Sequence, residues 1–244
     1  MISERMVIFS APRTGSNWLC TILDSHPEIL CHHEIFNPEA IHYSLAFRGG
    51  QLDLGTVKER DRRPKEVLRR VWQETFGYRV VGFKLCRGQN PTIFENVLAD
   101  PGVKAILILR RNRLKTFVSE KVAEVTGEWE SYPGMPIGQR RVPVEVDIDT
   151  LRAHIETNRR YYDGLRTALG KARKTWLELT YEELPYHEER RRALEFLGVS
   201  DHELTEATRK QNPRDLREVI SNFDELALRL RGSDLEGELL SRDL

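Results

Sequence analysis

The sequence of 244 residues is short of cysteine, of net charge and of long apolar runs, and each shortage removes a class of protein. Its three cysteines (Cys20, Cys31 and Cys86) form no C-x-x-C pair. So sparse and odd a count excludes a disulfide framework and fits reduced, structural thiols in a cytoplasmic protein. The 38 Lys and Arg residues balance 38 Asp and Glu, so bulk charge points to neither nucleic acid nor a membrane surface. No apolar run approaches the ~20 residues of a membrane span. The chain enters an apolar strand almost at once, which leaves no signal peptide to expect. Two nucleotide signatures are missing as well, G-x-x-x-x-G-K-[ST] and G-x-G-x-x-G. There is no internal repeat and no low-complexity tract.

What is present is a chain of 39% hydrophobic residues, long enough to bury a sizeable core within a single domain spanning 1–244. Short apolar runs at Met6–Ala11, Arg79–Leu85, Val103–Leu109 and Thr175–Thr180 read as strands. Helical spacing links Trp18, Leu19, Ile22 and Leu23 within Ser16–Ser25. It also links Leu114, Phe117, Val118, Val122 and Val125, and then Leu151, Ile155, Tyr162, Leu165 and Leu169. Apolar strands alternating with helices predict an α/β three-layer sandwich around a mostly parallel sheet, with ligands beyond the C-terminal strand ends. Arg48–Arg63 and Thr126–Asp149 break the pattern and are expected to be lids over the substrate mouth, the alternative being plain disorder.

The most informative stretch runs from Val7 to Leu19: a buried strand, a tight loop (Pro12-Arg13-Thr14-Gly15) and a helix start (Ser16-Asn17-Trp18). A strand turning through glycine into a helix aims backbone N–H groups and the positive helix end at one point, which suits an anion. Arg13 adds a cation, and Thr14, Ser16 and Asn17 add hydrogen-bond donors. A second group lies a hundred residues on. Arg110 and Arg111 follow the third strand, and Ser119 comes eight residues after Arg111, about two helical turns away. A planar guanidinium clamps a phosphate bidentately, and a hydroxyl adds a further bond.

Pro12-Arg13-Thr14-Gly15-Ser16-Asn17-Trp18-Leu19 resembles the donor loop of the P-loop sulfotransferases, and Arg111 with Ser119 has that family's spacing for the donor's 3′-phosphate. Arg110 is the rival for that role without the spacing. Trp176–Leu184 is similar to the family's late strand and Tyr-Glu-[Glu/Asp]-Leu segment, and Lys210 is a weaker candidate for the nucleotide. The resemblance, which runs from Val7 to about Phe223, implies a P-loop NTPase-like fold with 3′-phosphoadenosine 5′-phosphosulfate as sulfuryl donor. It implies a hydroxyl acceptor (a small molecule, a carbohydrate or a glycolipid-like compound), and no metal. The adjacent His32 and His33 lack the partner spacing of a zinc site. The residues imply no nucleic-acid partner, no transmembrane segment and no particular oligomeric state.

A hydroxyl acceptor needs a general base. The steroid-type branch uses a His where this chain has Cys86, in Lys84-Leu85-Cys86. The resemblance to carbohydrate-acting and bacterial members instead implies Glu34 as base, with His33 second and Lys84 as a further cation for the sulfonate. Burial near the loop is expected to raise the Glu34 pKa toward neutrality. The alternatives are a nucleotide-dependent small-molecule kinase, against which the missing Walker lysine speaks, and a catalytically silent nucleotide-binding domain.

Overall fold

The computed structural model describes residues 4–45, 52–130, 142–206 and 215–242. Its sheet has five strands: β1 (Glu4–Ser10), β2 (Ile29–His32), β3 (Val80–Cys86), β4 (Val103–Leu109) and β5 (Trp176–Thr180). They lie in the order β2-β3-β1-β4-β5, and every pairing is parallel. The expected α/β fold is thus the observed one. The strands are mainly apolar because both faces of the sheet are covered. In β1, Val7 and Phe9 enter one core layer with Phe83, Leu107 and Leu169, whereas Met6 and Ile8 enter the other with Leu19, Ile106 and Leu194.

Helices α1 (Ser16–Asp24), α2 (Val57–Arg62), α3 (Pro64–Gln73), α4 (Pro91–Ala99) and α5 (Arg113–Thr126) are followed by α6 (Ile148–Lys171) and α7 (His187–Leu197). The C-terminal α8 (Phe223–Leu230) and α9 (Glu236–Leu240) pack with α5 and the start of α6 in a satellite core. Local chemistry places several of these ends. Asn112 caps α5 by accepting from the Lys115 N–H, and Asp147 caps α6 by accepting from the Thr150 N–H. Asn90 caps α4 directly before Pro91, whose missing N–H costs nothing in a first helical turn.

Strand β2 and helices α2, α3 and α4 were not expected from the pattern. A four-residue strand between a helix and a polar stretch shows no readable period. Nor is the described part of 48–63 an irregular loop: it folds into α2 behind a Thr56–Glu59 capping box, with Leu52, Leu54 and Arg60 buried. In the second expected lid, residues 131–141 lie outside the described residues. Its end is anchored, since Val144 is buried and pairs with Ile220. The strand order reverses at β1, so the crevice of such a sheet opens at the β1 loop. No described helix is long and apolar enough to cross a membrane.

Candidate active site

The loop after β1 is held from beneath by α6. The Tyr162 hydroxyl accepts from the Ala11 N–H at 2.9 Å and donates to the Ile108 carbonyl at 2.6 Å, tying the ends of β1 and β4 together. Thr14 turns its hydroxyl back onto the Ala11 carbonyl, so it closes the turn from inside. Arg13 and Gly15 both adopt positive φ, at 60° and 88°. Only glycine fits at 15: an added Cβ would drive into the Tyr181 ring.

That ring is a wall of the loop which the sequence reading left without a role. Tyr181 packs edge-on against Trp18, 5.3 Å between centroids, and carries the Arg110 guanidinium at 4.5 Å. The signal for it was the Tyr-Glu-Glu-Leu segment itself. Pro12 leads into the turn, and Ser16 starts α1 as a buried residue.

The cations divide in an unexpected way. Arg13 donates from Nε to the Ser119 hydroxyl at 2.9 Å and from Nη1 to the Trp129 carbonyl. Burial, and next the neighbouring Arg110, lower its pKa to about 10, so it stays charged at neutral pH. Of Arg110 and Arg111, Arg110 is the inner one, its pKa lowered by burial, and it points at the loop through the Arg13 carbonyl. Arg111 is turned outward and pairs with Glu183, while Glu182 accepts from the Arg111 and Asn112 backbone N–H groups. Ser119 is therefore brought to Arg13, and Arg111 to Glu183. Lys210 lies outside the described residues.

On the other side of the loop, β2 and β3 deliver the expected acid–base residues. Lys84 is 2% exposed and faces Glu34 at 2.6 Å. Asn37 and Gln89 donate to the same carboxylate at 2.6 and 2.5 Å. Burial alone would raise the Glu34 pKa, as expected from the sequence, but Lys84 and these hydrogen bonds outweigh it and bring it down to about 2. The expectation of a near-neutral carboxyl is corrected accordingly. Lys84 in turn has its pKa raised, burial being overcome by Glu34. Cys86, where the other branch has its histidine, is a protonated thiol, pushed up to about 11 by burial.

Asn17 joins the two halves. Its carboxamide oxygen accepts from Lys84 and lies 3.4 Å from His33 Nδ1, and its nitrogen donates to Glu130 at 3.0 Å. His33 is buried beside it, and His32, lowered to about 4 by burial, is a neutral core imidazole whose Nδ1 accepts from the Ser44 N–H. Among the described residues, no three His, Cys, Asp or Glu side chains cluster as a metal site.

No protein-family model matches the chain. It is 26% identical over 231 residues to the nodulation protein H of Rhizobium meliloti strain 1021, covering 91% of this chain and 90% of the relative. To the nodulation protein H of Rhizobium tropici it is 25% identical over 236 residues, covering 94% and 90%. Among solved structures it is similar to mouse sulfotransferase SULT7A1 complexed with PAP (TM-score 0.44, 15% identity, 92% of this chain and 66% of the mouse one). It is similar also to a sulfotransferase from Alicyclobacillus acidocaldarius (TM-score 0.44, 16% identity, 96% and 94%). In architecture, with a strand–loop–helix at the centre of a parallel sheet, the chain has what the resemblance to the P-loop sulfotransferases implies.

Proposed function

We propose that this protein is a sulfotransferase that moves the sulfuryl group of 3′-phosphoadenosine 5′-phosphosulfate to a hydroxyl, with the whole chain serving as one catalytic domain. The observation that carries the reading is the convergence on Asn17: the donor loop and the Lys84–Glu34 pair meet at a single side chain. An anion held by the loop would therefore lie beside a cation that is already paired with a carboxylate.

The residues suit the donor. Loop N–H groups, Arg13, Thr14, Ser16 and Asn17 would hold the phosphosulfate, with Trp18 beside it and Arg111 and Ser119 taking the 3′-phosphate. Transfer of this kind asks for positioning and charge stabilisation more than for covalent chemistry. Arg13 and Lys84 meet the negative charge that grows on the leaving phosphate.

Glu34 would take the acceptor proton, with His33 as the alternative. A carboxylate paired with Lys84 is a poor base, its pKa being about 2. A bound donor offers Lys84 a second anion, and every weakening of the Lys84–Glu34 pair raises the basicity of Glu34. Basicity would then appear only once the donor is seated. The acceptor fits the carbohydrate-type or glycolipid-like class on the strength of the Glu34 arrangement, and the protein is read as cytoplasmic.

The test has two stages. Adenosine 3′,5′-bisphosphate should raise the melting temperature, and labelled donor should transfer to members of a hydroxyl-acceptor panel. No thermal shift at saturating bisphosphate would sink the reading, and turnover of ATP with magnesium in its place would make the protein a kinase.

A further inference from the structure

Loop 35–40, which follows Glu34, has no helix or strand to hold it, yet it carries Asn37, one of the two amides on the Glu34 carboxylate. Its anchor comes from α2. Arg60 is 1% exposed, and its Nη1 lies 2.7 Å from the Ile35 carbonyl, 2.6 Å from that of Asn37 and 3.2 Å from that of Ala40. The other edge of the guanidinium faces Asp61, at 2.9 Å from Nε and 2.8 Å from Nη2. A buried guanidinium is always charged and costly to desolvate, so a fork spent on three carbonyls of one loop is a specific device.

We propose that Arg60, steered by Asp61, is a positioning residue that gathers loop 35–40 so that Asn37 and the chain at Glu34 present the Glu34 carboxylate to Lys84. The inference rests on the reading of Glu34 as the base and extends it to a residue from a segment expected to be a lid. Two backbone bonds show how the gathered loop reaches Glu34: the Asn37 and His42 N–H groups both donate to the Glu34 carbonyl at 3.2 Å. The Asn37 side chain then closes on the carboxylate at 2.6 Å. Lysine does not replace this device, because a point charge on a flexible stem has no second edge for Asp61 while it serves the carbonyls.

The experiment follows the Glu34 carboxyl itself by carbon-13 NMR on the full-length protein labelled at glutamate, with E34Q identifying the resonance. In the wild-type protein the Glu34 signal should stay largely that of a carboxylate down to about pH 3, more than a unit below the ordinary glutamate midpoint of about 4.3. In R60K and in D61N the midpoint should move up by about one pH unit or more, so that the signal is already half titrated at about pH 3 or above. D61N changes a half-exposed side chain and supplies the answer even where R60K fails to fold. A Glu34 signal that titrates as in wild type in either folded variant overturns the proposal, even if that variant is less stable, since a purely structural Arg60 would lower stability alone. Neither donor nor acceptor enters the measurement, so its failure is separate from a failure of adenosine 3′,5′-bisphosphate to stabilise the protein.

Discussion

Lys84 on β3 and Glu34 after β2 form an ion pair at 2.6 Å, with 3% and 17% of their side chains exposed. Removing one partner from such a pair leaves an uncompensated charge, a loss of about 3–5 kcal/mol. K84M and E34Q should each lose stability on that scale in urea unfolding at pH 7. The double variant should lose less than the two summed, because it leaves neither charge alone. Full additivity would mean that the pair is not coupled.

The same pair sets an acid limb. The folded Glu34 pKa of about 2 lies below that of an unfolded glutamate, so its stabilising contribution is present above the unfolded value, about 4.3, and is lost as pH falls toward the folded one. The stability gap between wild type and E34Q should be constant from pH 7 to about pH 5 and shrink below about pH 4. Unfolding curves at stepped pH check this. A gap that widens on acidification would reverse the sign assigned to Glu34.

Gly15 and Tyr181 make the loop intolerant of a side chain. G15A places alanine at φ 88°, which costs about 1–2 kcal/mol before the clash is counted. A melting-temperature loss with no response to adenosine 3′,5′-bisphosphate is expected, and G15A/Y181A should recover part of the stability. An unimpaired bisphosphate response in G15A would show that the anion sits elsewhere.

Arg110 and Arg111 can be separated by ligand chemistry. If Arg111 leaves Glu183 to meet the 3′-phosphate, R111A should lose its preference for the 3′,5′-bisphosphate over AMP, roughly tenfold or more in Kd for a charge-assisted contact. R110A should weaken both ligands alike, because Arg110 braces the loop from beneath Arg13. Calorimetry on the two variants decides between them, and a preference lost only in R110A would transfer the role to Arg110.

The sequence by itself determined the elements that depend on near neighbours. The apolar runs of β1, β3, β4 and β5 were legible because both faces of the sheet are buried, and the loop Pro12–Gly15 because a strand, a glycine and a helix start stand in a row. Candidate residues Arg13, Asn17, His33, Glu34, Lys84 and Ser119 were likewise visible one at a time. Strand β2 was not, being four residues without a period, nor was the buried Arg60 inside a polar, basic stretch.

Only the tertiary structure decided what these residues do to one another. Parallel pairing of β2 with β3 and of β3 with β1 sets Lys84 between Glu34 and Asn17, residues far from it along the chain. Burial of Glu34 was foreseeable and points upward in pKa, yet the cation delivered by the neighbouring strand reverses the sign. Spacing placed Arg111 by the family pattern, while the turn after β4 buried Arg110 against Tyr181 and left Arg111 to Glu183. Electrostatic and packing terms act through space, and space between distant segments is assigned by the pairing of strands rather than by the order of residues.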